Sequence, residues 1–210
     1  MVVTCGISKK PVIASREWAV SVSGGATLAF SAWALGGMNT LTLHLLLFGG
    51  IFTFLITFIP FPKRLCSPLT SLHFPNESLT RLLRWPFFYY SLAFLVYLLI
   101  GALNPAAEVV RDERGWWIAA IHSPLATWLP TSVRSDYQPM NAWRVLASFT
   151  AAFTLIWGLW AGLTRRKAVL LVLWSLLVSG ALMALVGILQ YMTHADAVLW
   201  TFPSSNQHFW

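Results

Sequence analysis

Five apolar runs, each about the twenty residues a helix needs to cross a bilayer, govern what this chain can fold into. The expected spans are 18–37, 41–61, 86–103, 145–163 and 168–192. Composition agrees with that reading. The chain is 57% hydrophobic and 10% charged, where a soluble domain carries roughly a quarter charged residues. The expected fold is an all-α polytopic membrane protein with five transmembrane helices. The first run is rich in Gly, Ala and Ser, and Gly24, Gly25, Gly36 and Gly37 suit close helix–helix contact. It is too long for a signal-peptide core and lacks a clear cleavage site, so it reads as a retained first helix.

The basic residues orient the spans. With the N-terminus inside, the inner segments hold Lys9, Lys10, Arg16, Lys63, Arg64, Arg81, Arg84, Arg165, Arg166 and Lys167. The outer segments hold Arg111, Arg114, Arg134 and Arg144. This is the asymmetry the positive-inside rule requires. The C-terminus then lies outside. Topology and anionic headgroups account for most of the net charge of +7, so nucleic acid is not needed as a partner. Cys5 and Cys66 have neither CxxC nor metal-ligand spacing.

The segment 104–144 is the long polar stretch between spans and holds both signs of charge. On this reading the chain is one transmembrane domain with 104–144 as its outer segment. Tryptophan favours the headgroup level. Trp116, Trp117 and Trp128 therefore predict a helix lying in the interface over 115–129, or simple anchors for the loop. Arg134 and Arg144 offer planar guanidinium forks suited to phosphate. The alternative is a local contact between Arg134 and Asp136, with Arg144 reaching ordinary phospholipid. Asp136 and His122 are candidate general bases, set against the more usual reading of a solvated or turn-forming Asp and a structural His. Glu108, Asp112 and Glu113, beside Arg111 and Arg114, read as a solvated patch without the makings of a metal cage.

Within the spans, His44 is an ionisable candidate. Gln190 can bond a neighbouring helix or a substrate sugar. Asn76-Glu77-Ser78 matches a glycosylation sequon but falls on the inner side.

Four pieces of the chain carry a family pattern. They are 129–136 (LPTSVRSD), 141–144 (NAWR) leading into a helix, 184–191 (ALVGILQY), and the tail with Leu199-Trp200 and 206–210 (NQHFW). Together, 128–210 resembles the bacterial O-antigen ligase family, which includes O-antigen polymerase-like proteins; residues 1–127 match it only as generic spans. The resemblance implies a GT-C-type membrane glycosyltransferase of the bacterial inner membrane. Such a protein moves a glycan from undecaprenyl diphosphate to lipid A core, a growing polymer or a protein at the periplasmic face. It implies no metal or other cofactor, and it implies that Arg134 and Arg144 bind the diphosphate. The family's Asn/His-containing motif and large periplasmic loop, expected to carry essential Arg and His residues, would fall beyond Trp210. The expectation is thus an N-terminal part of a longer enzyme. The alternatives are a non-catalytic membrane assembly protein and a transporter subunit, though a transporter predicts mid-membrane ionisable groups and the spans offer only His44.

Overall fold

The computed structural model describes residues 15–33, 40–59, 76–112, 115–121, 128–135, 141–193, 197–198 and 202–203. In chain order these form α1 (Ser15–Trp33), α2 (Thr40–Ile56), α3 (Asn76–Leu83), α4 (Pro86–Leu103), β1 (Pro105–Asp112), β2 (Gly115–Ala120), β3 (Ser132–Arg134), α5 (Ala142–Gly162), α6 (Arg166–Met192), β4 (Ala197–Val198) and β5 (Phe202–Pro203). The protein is mostly helical. Three helices, α4, α5 and α6, are long and apolar enough to cross a membrane. Helix α2 is apolar but has 17 residues, about 26 Å at 1.5 Å per residue, and is extended by turn-like bonds through Ile59. Helix α1 contains Arg16 and Glu17 near its start and many small residues. Large apolar side chains line the outside of α6, among them Leu173, Trp174, Leu177, Leu185 and Ile188. So broad an unpaired apolar surface is suited to lipid rather than water.

Helix α5 is the hub, in contact with α1, α2, α3 and α4, while α6 packs on α1. Small residues permit the tightest crossing. A Cβ on Gly50 of α2 would lie 2.6 Å from the Ala151 carbonyl oxygen, and one on Gly158 of α5 would lie 2.9 Å from the Phe54 nitrogen. The two backbones therefore touch, which is how helices associate where lipid removes the hydrophobic drive. Gly24 meets Leu159 of α5, and Gly25 meets Ser175 of α6, as the small-residue pattern of the first run predicts. Gly36 and Gly37 lie outside the described residues.

Indole N–H groups fasten the remaining pairs. Trp157 Nε1 donates to Ser91 Oγ on α4 at 2.9 Å, and Trp33 Nε1 donates to Ser179 Oγ on α6 at 3.1 Å. Around Trp157, Phe54, Phe58, Phe88 and Phe153 form an aromatic cluster.

Two elements depart from the sequence reading. Where the described residues cover it, the interfacial helix expected over 115–129 is replaced by a strand. Residues Gly115–Ala120 are strand β2, paired antiparallel with β1 in the register Val109↔Ile118, Val110↔Trp117 and Arg111↔Trp116. The β-branched and aromatic residues of both strands favour the pleat, and Gly115, the first residue of β2, adopts φ +139°, which favours glycine. β3 adds to β1 in parallel, giving the order β2-β1-β3. The helical protein thus carries a small sheet. The second departure is α3, a short amphipathic helix inside the connection between the expected spans 41–61 and 86–103.

The sheet caps one end of the bundle, joined to the C-terminus of α4 and the N-terminus of α5. The opposite end gathers the basic residues. There Glu17 of α1 meets Thr164 and Arg165 in the turn between α5 and α6, and Arg81 of α3 meets the Leu163 carbonyl.

Candidate functional site: a cleft between the sheet and the start of α5

The cleft is built where two chain reversals meet. Helix α4 ends at Asn104, whose backbone N–H donates to the Gly101 carbonyl at 3.2 Å. Asn104 is 1% exposed. Its Nδ2 donates to the Pro130 carbonyl at 3.3 Å, and its own carbonyl accepts the Ser132 N–H at 3.4 Å. This asparagine therefore ties the end of α4 to the strand that carries Arg134.

A second asparagine ties that strand to α5. Asn141 Nδ2 donates to the Ser135 carbonyl at 3.2 Å, while Asn141 Oδ1 accepts the Trp143 N–H at 2.9 Å. The second bond is an N-cap, which satisfies one of the orphan N–H groups of the first turn. The Asn141 carbonyl accepts the Val145 N–H at 3.2 Å. One side chain thus sets both the start of α5 and the height of β3 against it.

Between these elements lies a cleft of about 370 Å³, whose wall includes Pro105, Ser132, Arg134, Ser135, Asn141 and Trp143. Arg134 is exposed at its mouth and forms no ion pair among the described residues. The cleft opens beside the N-terminal turn of α5, the positive end of that helix dipole. It thus offers a guanidinium fork, hydroxyls and an amide around one space, a donor-rich setting for an anion. Glu108 is the opposing charge, because it pairs with Arg134 in the β1–β3 register. Directly paired residues of a sheet share a face.

The sequence-predicted residues divide as follows. Arg134 lines the cleft. Arg144 is in the first turn of α5, one residue past Trp143, and is half-buried with a bonding partner; it does not line the cleft. Gln190 is 6% exposed, on the stripe of α6 that also buries Ala168, Val172 and Ser179. Gln190 has a bonding partner and does not line the cleft. His44 is exposed on α2, with Nδ1–H donating to the Thr40 carbonyl at 2.7 Å. Asp136 and His122 lie outside the described residues. Sequence reasoning overlooked Asn104 and the bracing role of Asn141. An Asn directly before an apolar run is a capping signal, and it could have pointed to Asn141.

Among the described residues no three His, Cys, Asp or Glu side chains gather as a metal site would require. No protein-family model, no curated protein and no solved structure matches this chain.

Proposed function

We propose that this chain belongs to a membrane glycan transferase of the O-antigen ligase kind. It sits in the bacterial inner membrane with five spans, N-terminus inside and C-terminus outside. The donor is a glycan on undecaprenyl diphosphate, and the acceptor is lipid A core or another glycan or lipid at the periplasmic face. The observation that carries this reading is Arg134 in the cleft beside the capped start of α5. A diphosphate leaving group gathers charge as its bond to the sugar breaks, and fixed donors aimed at that charge lower the barrier. Arg134, Ser132 and the first turn of α5 supply such donors, and Arg144 adds positive charge within that turn. Asp136 and His122 are the candidates for the base that takes the acceptor hydroxyl proton.

The orientation is supported by the two ends of the bundle. Arg16, Arg81, Arg84, Arg165, Arg166 and Lys167 cluster at one, and the sheet lies at the other.

The test is binding of undecaprenyl diphosphate to the purified chain, read by the fluorescence of tryptophan near the cleft, together with transfer of a labelled glycan from that carrier. Arg134→Ala should weaken binding about tenfold, the loss of one charge-assisted bond pair, with Arg134→Lys intermediate. Equal binding by wild type and Arg134→Ala, without transfer to any lipid, glycan or protein acceptor, would sink the proposal.

A second reading, a non-catalytic assembly protein, is favoured by β2. It is an edge strand whose Trp116, Trp117 and Ile118 are all exposed, and such an edge can accept a further strand. It expects Arg134→Ala and Arg144→Ala to leave glycan attachment unchanged in cells.

A further inference from the structure

The basic end of the bundle holds a second cleft, of about 490 Å³, lined by Glu77, Thr80, Arg81, Arg84, Trp85 and Trp160. The first four of these follow the spacing i, i+3, i+4, i+7 and so share one side of α3 and its final turn. That turn continues past Leu83, because the Arg84 N–H donates to the Thr80 carbonyl at 3.0 Å. The other side of α3 is apolar. Leu82 is buried against the bundle, and Leu79 and Leu83 are exposed on the flanks.

Arg81 is already held in place. Its Nη1 donates to the Leu163 carbonyl at the end of α5 at 2.7 Å, and its guanidinium carbon lies 5.1 Å over the Trp160 ring. Trp160 in turn stacks on Trp85, with ring centroids 4.4 Å apart. A guanidinium has five N–H donors, so the bond to Leu163 leaves others for a ligand in the cleft that Arg81 lines. An arginine fixed by stacking loses little rotamer freedom when a ligand arrives.

We propose that this cleft binds the phosphate of an anionic phospholipid, with Arg81, Arg84 and Thr80 contacting its oxygens. The Trp85–Trp160 pair forms the wall for the glycerol and the first acyl carbons. Three features select a lipid over a free phosphate. The wall is aromatic on one side. Leu79 and Leu83, on the other side of α3, leave exposed apolar surface for the acyl layer. The two tryptophans stand at the first turn of α4 and the last turn of α5, where apolar helices meet the headgroup layer. Two arginines face one glutamate in the lining, and Arg165, Arg166 and Lys167 follow the end of α5 directly. The local field therefore favours a net negative headgroup over a zwitterionic one. The site is at the end of the bundle opposite Arg134, and its test is independent of what the sheet-side cleft holds.

The experiment is native mass spectrometry of the detergent-purified chain with phosphatidylglycerol, phosphatidylcholine or inorganic phosphate. Wild type should retain phosphatidylglycerol in preference to phosphatidylcholine. Arg84→Ala should lower that retention about tenfold, Arg84→Lys should restore part of it, and Glu77→Gln should raise it. Arg84 is chosen because Arg81→Ala would also release the Leu163 carbonyl and disturb the bundle. Millimolar inorganic phosphate should not displace the lipid. Equal retention of both lipids, or unchanged phosphatidylglycerol retention by a folded Arg84→Ala, would overturn the proposal. Complete displacement by inorganic phosphate would overturn the lipid assignment and mark the cleft as a free-phosphate site.

Discussion

Glu17 of α1 and Thr164, 147 positions later in the chain, are joined twice over: the Glu17 carboxylate accepts the Thr164 backbone N–H at 3.3 Å and also the Thr164 hydroxyl. Glu17 is 4% exposed. Its second oxygen lies 3.4 Å from Arg165 Nε. The turn between α5 and α6 is thus held by a side chain from the first helix. Ser21, one turn further along α1, adds a bond to the Ala168 carbonyl at 3.2 Å.

Glu17→Ala should therefore loosen the α5–α6 turn. Losing the acceptor of one backbone and one hydroxyl donor, with a charged partner, costs about 2–4 kcal/mol. The check is thermal unfolding in detergent. Glu17→Gln, which keeps one acceptor oxygen but not the charge, should recover about half of the loss.

The glycines should separate into two classes. Gly50→Ala and Gly158→Ala press a methyl onto the facing backbone of the α2–α5 crossing, which gives way less readily than a side chain. Each should cost about 1–3 kcal/mol. Gly180→Ala and Gly187→Ala on α6 meet nothing within 4 Å. They should be neutral or stabilising by up to about 1 kcal/mol. Melting temperatures of the four variants decide the matter, and equal losses at all four would contradict the crossing.

Trp157→Phe keeps the ring within the aromatic cluster but removes the Nε1–H that reaches Ser91. The expected loss is about 0.6–1.7 kcal/mol, the range for interhelical hydrogen bonds in membranes. A double-mutant cycle with Ser91→Ala should return a coupling energy of that size. Strict additivity would show that the bond contributes nothing.

Glu108→Gln removes the carboxylate opposite Arg134 in the β1–β3 register. Under the function proposed above, binding of undecaprenyl diphosphate to the sheet-side cleft should then strengthen, by about two- to fivefold for one exposed like-with-ligand charge. The gain should fall as salt is raised through the range where the Debye length is about 10 Å.

What could be read in the sequence follows the physics of each segment. The run 86–103 coincides with α4, because Pro86 sets the first turn and an unbroken apolar run leaves no competing structure. The strands were harder to see. Trp116 and Trp117 suit a strand as well as an interface, and 109–110 and 116–118 each offer only a short apolar stretch without a clear alternation. Only the pairing across Gly115 decides for the sheet. Arg134 was legible as a cation against the orientation bias. The cleft around it was not, since it depends on Asn104 and Asn141 reaching carbonyls 26 and 6 residues away. Helix α3 was hidden by its brevity, since eight residues do not hold a helix in water without a neighbour; α5 supplies that neighbour.

Helix α5 begins at one cleft and ends at the other. Asn141 and Trp143 form part of the wall beside Arg134, and Trp160 forms part of the wall beneath Arg81. Its 21 residues make a strut about 32 Å long, held by backbone contact with α2 at Ala151 near its middle and at Gly158 about one turn from its end. Both clefts therefore have a wall on one rigid element, and the close crossing at Gly50 and Gly158 fixes how far apart those walls stand.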